Sequence, residues 1–123
     1  MIETIIQARL TQAPALAGGR VYGGVAPPTV ARPYITHFHM GGELGMAFCG
    51  PDGSDSGSVQ IDCWAESRSA ATALAWQVYH RLTAQDSEFA ASSIRRLPSG
   101  YEPDTKLHRV SWEVAATTET PTP

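Results

Sequence analysis

The sequence predicts an α+β fold, a mainly antiparallel sheet with two helices packed on one face, in the order α–β–β–β–α–β–β. Three patterns carry that reading. Ile2, Ile5, Ile6 and Leu10 recur at helical spacing, which gathers them on one stripe. Ala71, Leu74, Ala75, Val78 and Leu82 do the same further along. Two other runs alternate with period 2, as half-buried strands do. Val59, Ile61, Cys63 and Ala65 interleave with Gln60, Asp62 and Trp64, and Val110, Trp112 and Val114 interleave with Arg109, Ser111 and Glu113.

The first helix carries Glu3 in its opening turn and Arg9 near its end, where the helix dipole favours an anion and a cation respectively. Pro14 and then Gly18-Gly19 stop it. A short extended segment, Arg20-Val21-Tyr22, leads into Gly23-Gly24-Val25-Ala26-Pro27-Pro28, a stiff return that is neither helix nor inner strand.

Pro33 opens a β-prone run, Tyr34-Ile35-Thr36-His37-Phe38-His39-Met40. Between it and the strand at 59–65 lie residues 41–57, with six glycines, Pro51, Asp52 and Asp55. Hairpin loops usually have 2–5 residues, so this span needs a functional explanation. Leu44, Met46 and Phe48 alternate in its first half, as they do if the strand continues outward. The expectation is a protruding β-hairpin arm with a mobile, acidic tip. Ser67 or Ser69 is placed to cap the second helix. Strands are expected at 89–97 and 106–116, joined by the turn chemistry of Pro98-Ser99-Gly100 and Pro103-Asp104. The last residues, 117–123, are rich in Thr and Pro and read as a loose tail.

With 123 residues, the chain fits one domain, over 1–116. Nine Lys and Arg against 12 Asp and Glu give a net charge of −3, and the only basic pair, Arg95-Arg96, points to opposite sides of a strand. Nucleic-acid binding is not expected, because phosphate recognition needs a basic stripe. Cys49 and Cys63 read as reduced thiols, since two cysteines make no disulfide framework. No stretch approaches the roughly 20 apolar residues of a membrane span.

Catalytic constellations are incomplete. His37 and His39 share one side of a strand, but no carboxylate or thiol at ligand spacing completes a metal set, although Cys49 could approach from the arm. They read as surface groups. The run from Asp52 to Gly57 imitates the start of a calcium loop, yet position 12 is Cys63 where calcium needs a bidentate glutamate. Asp62 and Glu66 flank a strand end without a third catalytic group, and read as solvated or paired. No nucleophile elbow or phosphate-binding loop is present. Neither an enzyme activity nor a cofactor is expected.

Three segments together resemble a family. Arg20-Val21-Tyr22, the Pro27-Pro28 return and Arg32-Pro33-Tyr34-Ile35 form the first. Val59 to Ala65, leading into the Ala-rich helix at 69–82, forms the second. Tyr101-Glu102-Pro103-Asp104-Thr105-Lys106-Leu107-His108-Arg109 forms the third. In this order they resemble the tail-completion, or tail-terminator, proteins of long-tailed bacteriophages and prophages, over about 1–116. The resemblance implies a structural protein of the virion tail, assembled in the host cytoplasm. It implies a ring of copies, a hexamer, on the head-proximal end of the tail tube. Such a ring ends tube polymerisation and meets the head connector or stopper protein. Another neck or head–tail adaptor ring component is the alternative, with a small ligand-binding or hydrolase domain behind it.

On this reading Arg20, Tyr22, Pro33, Tyr34, Asp62, Trp64, Tyr101 and Asp104 are scaffold. Tyr22, Tyr34 and Trp64 are expected to anchor the helices to the sheet or to a neighbouring subunit, and more in the core than at the interface. Glu43, Leu44, Met46, Phe48, Asp52 and Asp55 of the arm are the expected partner contacts.

Overall fold

A computed structural model of the chain describes residues 2–47, 50–84 and 91–119. Helix α1 (Ile2–Thr11) buries the four apolar residues that its spacing predicts. A short turn at Leu16–Gly19 follows, with Ala17 and Gly18 both at positive φ. Strands β1 (Val21–Gly23), β2 (Tyr34–Ala47) and β3 (Gly50–Ala65) come next, then α2 (Arg68–Thr83). The Ser67 hydroxyl accepts from the Ala70 amide at 3.1 Å and caps α2. Strands β4 (Ala91–Arg96), β5 (Gly100–Glu102) and β6 (Leu107–Glu119) complete the described chain.

The sheet has the order β1-β2-β3-β6-β4, with β5 also paired to β6. Every pair is antiparallel except β1 with β2. The α+β prediction stands, with one strand more than the sequence pattern gives. Gly100–Glu102, read as turn, forms β5 against Arg109, His108 and Leu107. Proline and glycine on both sides mask so short a strand, which β6 alone recruits.

Register explains the layering. Ile35, Cys63 and Val110 lie side by side across β2, β3 and β6, and so do Val59 and Val114. All five are 0–1% exposed, because both helices lie over this face. Trp112 ties helix to sheet: its indole Nε1 donates to the Ala75 carbonyl of α2 at 2.8 Å, and its ring meets Trp76 and Tyr79. Burying an aromatic of this size removes ~150–250 Å² from water. Cys63 is a free thiol in this layer, and burial pushes its pKa up. It is an inert core residue. Cys49 lies outside the described residues.

The long span at 41–57 is an arm built from the strands themselves. β2 and β3 stay paired from Tyr34↔Trp64 out to Ala47↔Gly50. One extra residue of β2 forms a bulge between His39 and Gly42. There the two backbones come so close that a Cβ on Gly42 would overlap the Ser56 carbonyl oxygen, and one on Gly57 would lie 2.7 Å from the Gly41 carbonyl. Only glycine fits that crossing. β6 follows the arm's base, pairing Thr117, Thr118 and Glu119 with Ser56, Asp55 and Ser54. This corrects the reading of 117–119 as loose tail. A weakly β-prone threonine run is held there because β3 offers it a ladder.

Candidate partner-binding surface

The face of the sheet away from the helices carries the motif residues. Period-2 alternation sends Val21, Ile35 and Cys63 to the helices and their neighbours Tyr22, Tyr34 and Trp64 to the other side. The three aromatics are half-buried there. Of the two roles that the sequence suggested for them, helix or neighbouring-subunit anchor, the first falls to Trp112 instead.

Two rows of residues build this surface. In the first, Tyr34 stacks on Trp64 with ring centroids 6.1 Å apart, and the Arg109 guanidinium lies over the Trp64 ring at 5.9 Å. Trp64 Nε1 donates to the Thr36 hydroxyl at 3.1 Å, which fixes the indole in place. In the second row Thr36, Asp62 and Ser111 are adjacent across three strands. Asp62 is buried, and its Oδ1 accepts from the Ser111 hydroxyl at 2.5 Å and from Gln60 Nε2 at 2.9 Å. A buried carboxylate held this way is a structural hinge pin between strands rather than a free base. Glu66 instead faces Arg32 at 3.9 Å, so the two acids are separately partnered, as expected.

The Pro-rich return at 24–32 runs along the margin of this face. It is held by the Gly24 amide on the His37 carbonyl at 2.8 Å and by Arg20 Nε on the Pro33 carbonyl at 2.9 Å. Between the return and the sheet lies an open cleft of about 420 Å³, walled by Val25, Pro27 and Pro28 on one side and by Tyr34, Phe38 and Trp64 on the other. Asp62, Glu102 and Arg32 also reach it. Burial, with the Glu102 charge adding to it, pushes the Tyr34 phenol above its ordinary pKa. Apolar side chains left in water mark the surface: Val25 is 89% exposed, Phe38 43% and Tyr101 53%. Tyr101 lies in β5 against His108, and Asp104 is in the exposed turn that follows. A smaller cleft of about 220 Å³ extends from Trp64 to Tyr101 and Arg109.

The arm lies at the other end of the same strands. Leu44 is 64% exposed and Met46 69%. Glu43 and Asp55 occupy ladder positions in β2 and β3, Asp52 lies in β3 where the register shifts, and Phe48 lies outside the described residues. Met40, at the bulge, is 46% exposed.

The histidine pair resolves into two different environments. Both side chains lie on the helix face, as the spacing implies, yet only His39 is exposed. His37 is buried beneath α1, with Nε2 2.6 Å from Gln7 Oε1 and Nδ1 without a partner. Burial lowers its pKa, against a smaller opposing pull from Glu3. Among the described residues, no three His, Cys, Asp or Glu side chains converge on a possible metal position. Sequence reasoning passed over Thr36, Ser111, Glu102 and Leu107 as site residues. The signal was there for two of them: Thr36 and Ser111 share the parity of Trp64 and Glu113.

Comparison with known proteins agrees with this architecture. The native gene transfer agent particle virion contains a chain similar to this one, with a TM-score of 0.64 and 18% sequence identity over 94% of this chain and 92% of that one. At that identity the likeness establishes the fold. No curated protein matches the chain. The family model described as "Tail completion protein gp17" matches residues 4–119. That match takes in the arm and the cleft as well as both helices, so the chain belongs to the gp17 family of tail completion proteins and is a bacteriophage tail-assembly protein.

Proposed function

We propose that copies of this chain close into a ring on the head-proximal end of the tail tube, end tube polymerisation and present the surface that joins the head. The family match and the likeness to a virion protein support a structural part in a particle. The observation that carries the ring is the pairing of open sheet edges with a projecting arm. β1 covers only Ile35–His37 of β2, and in the described sheet β4 is paired on one side alone. Edges of this kind join chains unless something blocks them. Two unlike edges give a head-to-tail contact, which closes when the rotation between copies divides a full turn. The tail tube protein and the head connector or stopper are the partners on its two faces.

The mass of the assembled species tests this, measured alone and after mixing with tail tube protein. A discrete multiple of the 13.2 kDa subunit, bound to the tube end, is the expected result. A monomer in both conditions overturns the reading. Co-purification with a portal protein and not with tube protein would favour a different neck component.

A further inference from the structure

We infer that the cleft between the Pro-rich return and the outer sheet face takes a lysine side chain from a protein other than this one. Choosing another protein over a second copy rests on the ring proposed above; the lysine chemistry does not.

Charge selects a cation. The charged residues that line the cleft are Arg32, Asp62 and Glu102. Arg32 is shared with Glu66, which lies outside the lining. Arg109 belongs to the smaller adjoining cleft, over the Trp64 ring. The Tyr34 phenol reads the balance directly: after burial, the Glu102 carboxylate raises its pKa more than Arg32 lowers it. The wall that Tyr34 forms is therefore negative.

Asp62 provides the anchor. It is only 6% exposed, yet it lines the cleft. Ser111 and Gln60 both donate to Oδ1, and Oδ2 has no donor among the described residues. Oδ2 is not sealed from solvent. A carboxylate oxygen so deeply placed and left without a donor costs free energy, which a cation in the cleft would recover. Glu102 is engaged only through Oε1, by the Thr105 hydroxyl.

The acceptors suit lysine better than arginine. A planar guanidinium pairs best with two oxygens side by side, and Oδ1 of Asp62 is already filled by two donors. An ammonium carries three rotatable donors and can meet single oxygens on separate residues. Val25 and Pro27 on one wall and Tyr34 and Phe38 on the other offer apolar surface to the four-carbon stem. Aromatic ring faces also attract the charged end.

This chain has a single lysine, Lys106. It is exposed and sits between Thr105 and Leu107, which line the cleft, without lining it itself. A second copy offering Lys106 would press the two cleft margins together. That contact is isologous and stops at two copies. A lysine on a different chain leaves the copies free to assemble.

The test titrates the full-length protein with the peptide acetyl-Ala-Ala-Lys-Ala-Ala-amide and follows the indole N–H resonances of Trp64 and Trp112. A norleucine counterpart keeps the stem and removes the charge. The lysine peptide should shift Trp64 saturably, leave Trp112 in place and bind roughly fivefold tighter than the norleucine peptide. Glu102→Gln, which keeps an acceptor for Thr105, should lower that ratio to about twofold. Equal affinity for the two peptides, or no saturable shift of Trp64, overturns the inference even where the chain assembles on tube protein. A two-copy species that Lys106→Gln abolishes makes a second copy the occupant and overturns the assignment to another protein. A chain that stays monomeric yet binds the lysine peptide overturns the ring and leaves the lysine site standing.

Discussion

Arg81 and Arg9 cap each other's helices. From α2, the Arg81 guanidinium donates to the Arg9 carbonyl at 2.8 Å, and also to the carbonyls of Gln12 and Pro14 at 2.9 and 2.7 Å. From α1, Arg9 donates to the Ala84 carbonyl just beyond α2 at 3.1 Å. The last carbonyls of a helix have no partner within it and carry the negative end of its dipole. Here each arginine fills that role for the neighbouring helix, and the two C-termini are locked side by side.

Arg81→Ala removes three hydrogen bonds from the C-terminal end of α1 and the turn after it. The expected loss is about 2 kcal/mol, seen as a thermal midpoint roughly 8 °C lower. Arg81→Lys should recover only part of it, because an ammonium cannot span three carbonyls with a planar fork. An unchanged midpoint in Arg81→Ala would refute the capping role.

Stability should fall as the solution is acidified from pH 7.5 to 5. His37 has a folded pKa below the ordinary 6.5 because burial disfavours its charged form. Between those two values the unfolded chain binds a proton that the folded chain refuses, so the free energy of unfolding drops with pH. The full contribution is present above 6.5 and lost as pH falls toward the folded value. Glu3, lowered from 4.5 chiefly by its own backbone hydrogen bond, acts in a separate window below. His37→Gln should flatten the slope of urea-unfolding free energy between pH 6.5 and 5. An equal slope in the variant would exclude His37 as its source.

The Asp62–Ser111 contact should behave as a buried pair. Ser111→Ala leaves the carboxylate with the Gln60 amide alone among its hydroxyl and amide donors, at an expected loss of about 1–3 kcal/mol. Ser111→Ala combined with Asp62→Ala should cost less than the sum of the single changes, which a double-mutant cycle in denaturant measures. Strict additivity would show that the two do not interact.

Removing residues 43–55 should spare the fold and abolish tail capping. The core residues of both helices and the ladder from Tyr34↔Trp64 to His39↔Val59 lie outside the deletion. Cooperative unfolding within roughly 1–2 kcal/mol of the parent is expected, with overlong tails in complementation. Normal-length, infectious tails would show that the arm is dispensable.

The sequence displayed the sheet's core and both helices because burial imposes strict periods. Val59, Ile61 and Cys63 could only face the helices, and the same count already placed Trp64 on the opposite side. Its grouping with helix-anchoring aromatics came from size rather than parity. Leu44 shows where parity fails, since the bulge before Gly42 shifts every later residue of β2 by one face. The burial of His37 was hidden for a different reason: it depends on α1, thirty residues away, lying across the strand. The cleft was only half visible, as a Pro-rich return and an aromatic strand with no local pattern to join them.

β6 has consequences for how the chain is made. It bonds to β3, β4 and β5, yet it is synthesised after all of them. A nascent chain can form the β2–β3 hairpin early, but β3 then presents a bare, apolar flank until its last neighbour emerges. During that interval the growing polypeptide is open to mispairing with other copies on the same polysome. A chain whose central strand emerges last gains from slow, dilute expression, which gives each copy time to seal itself before it meets another.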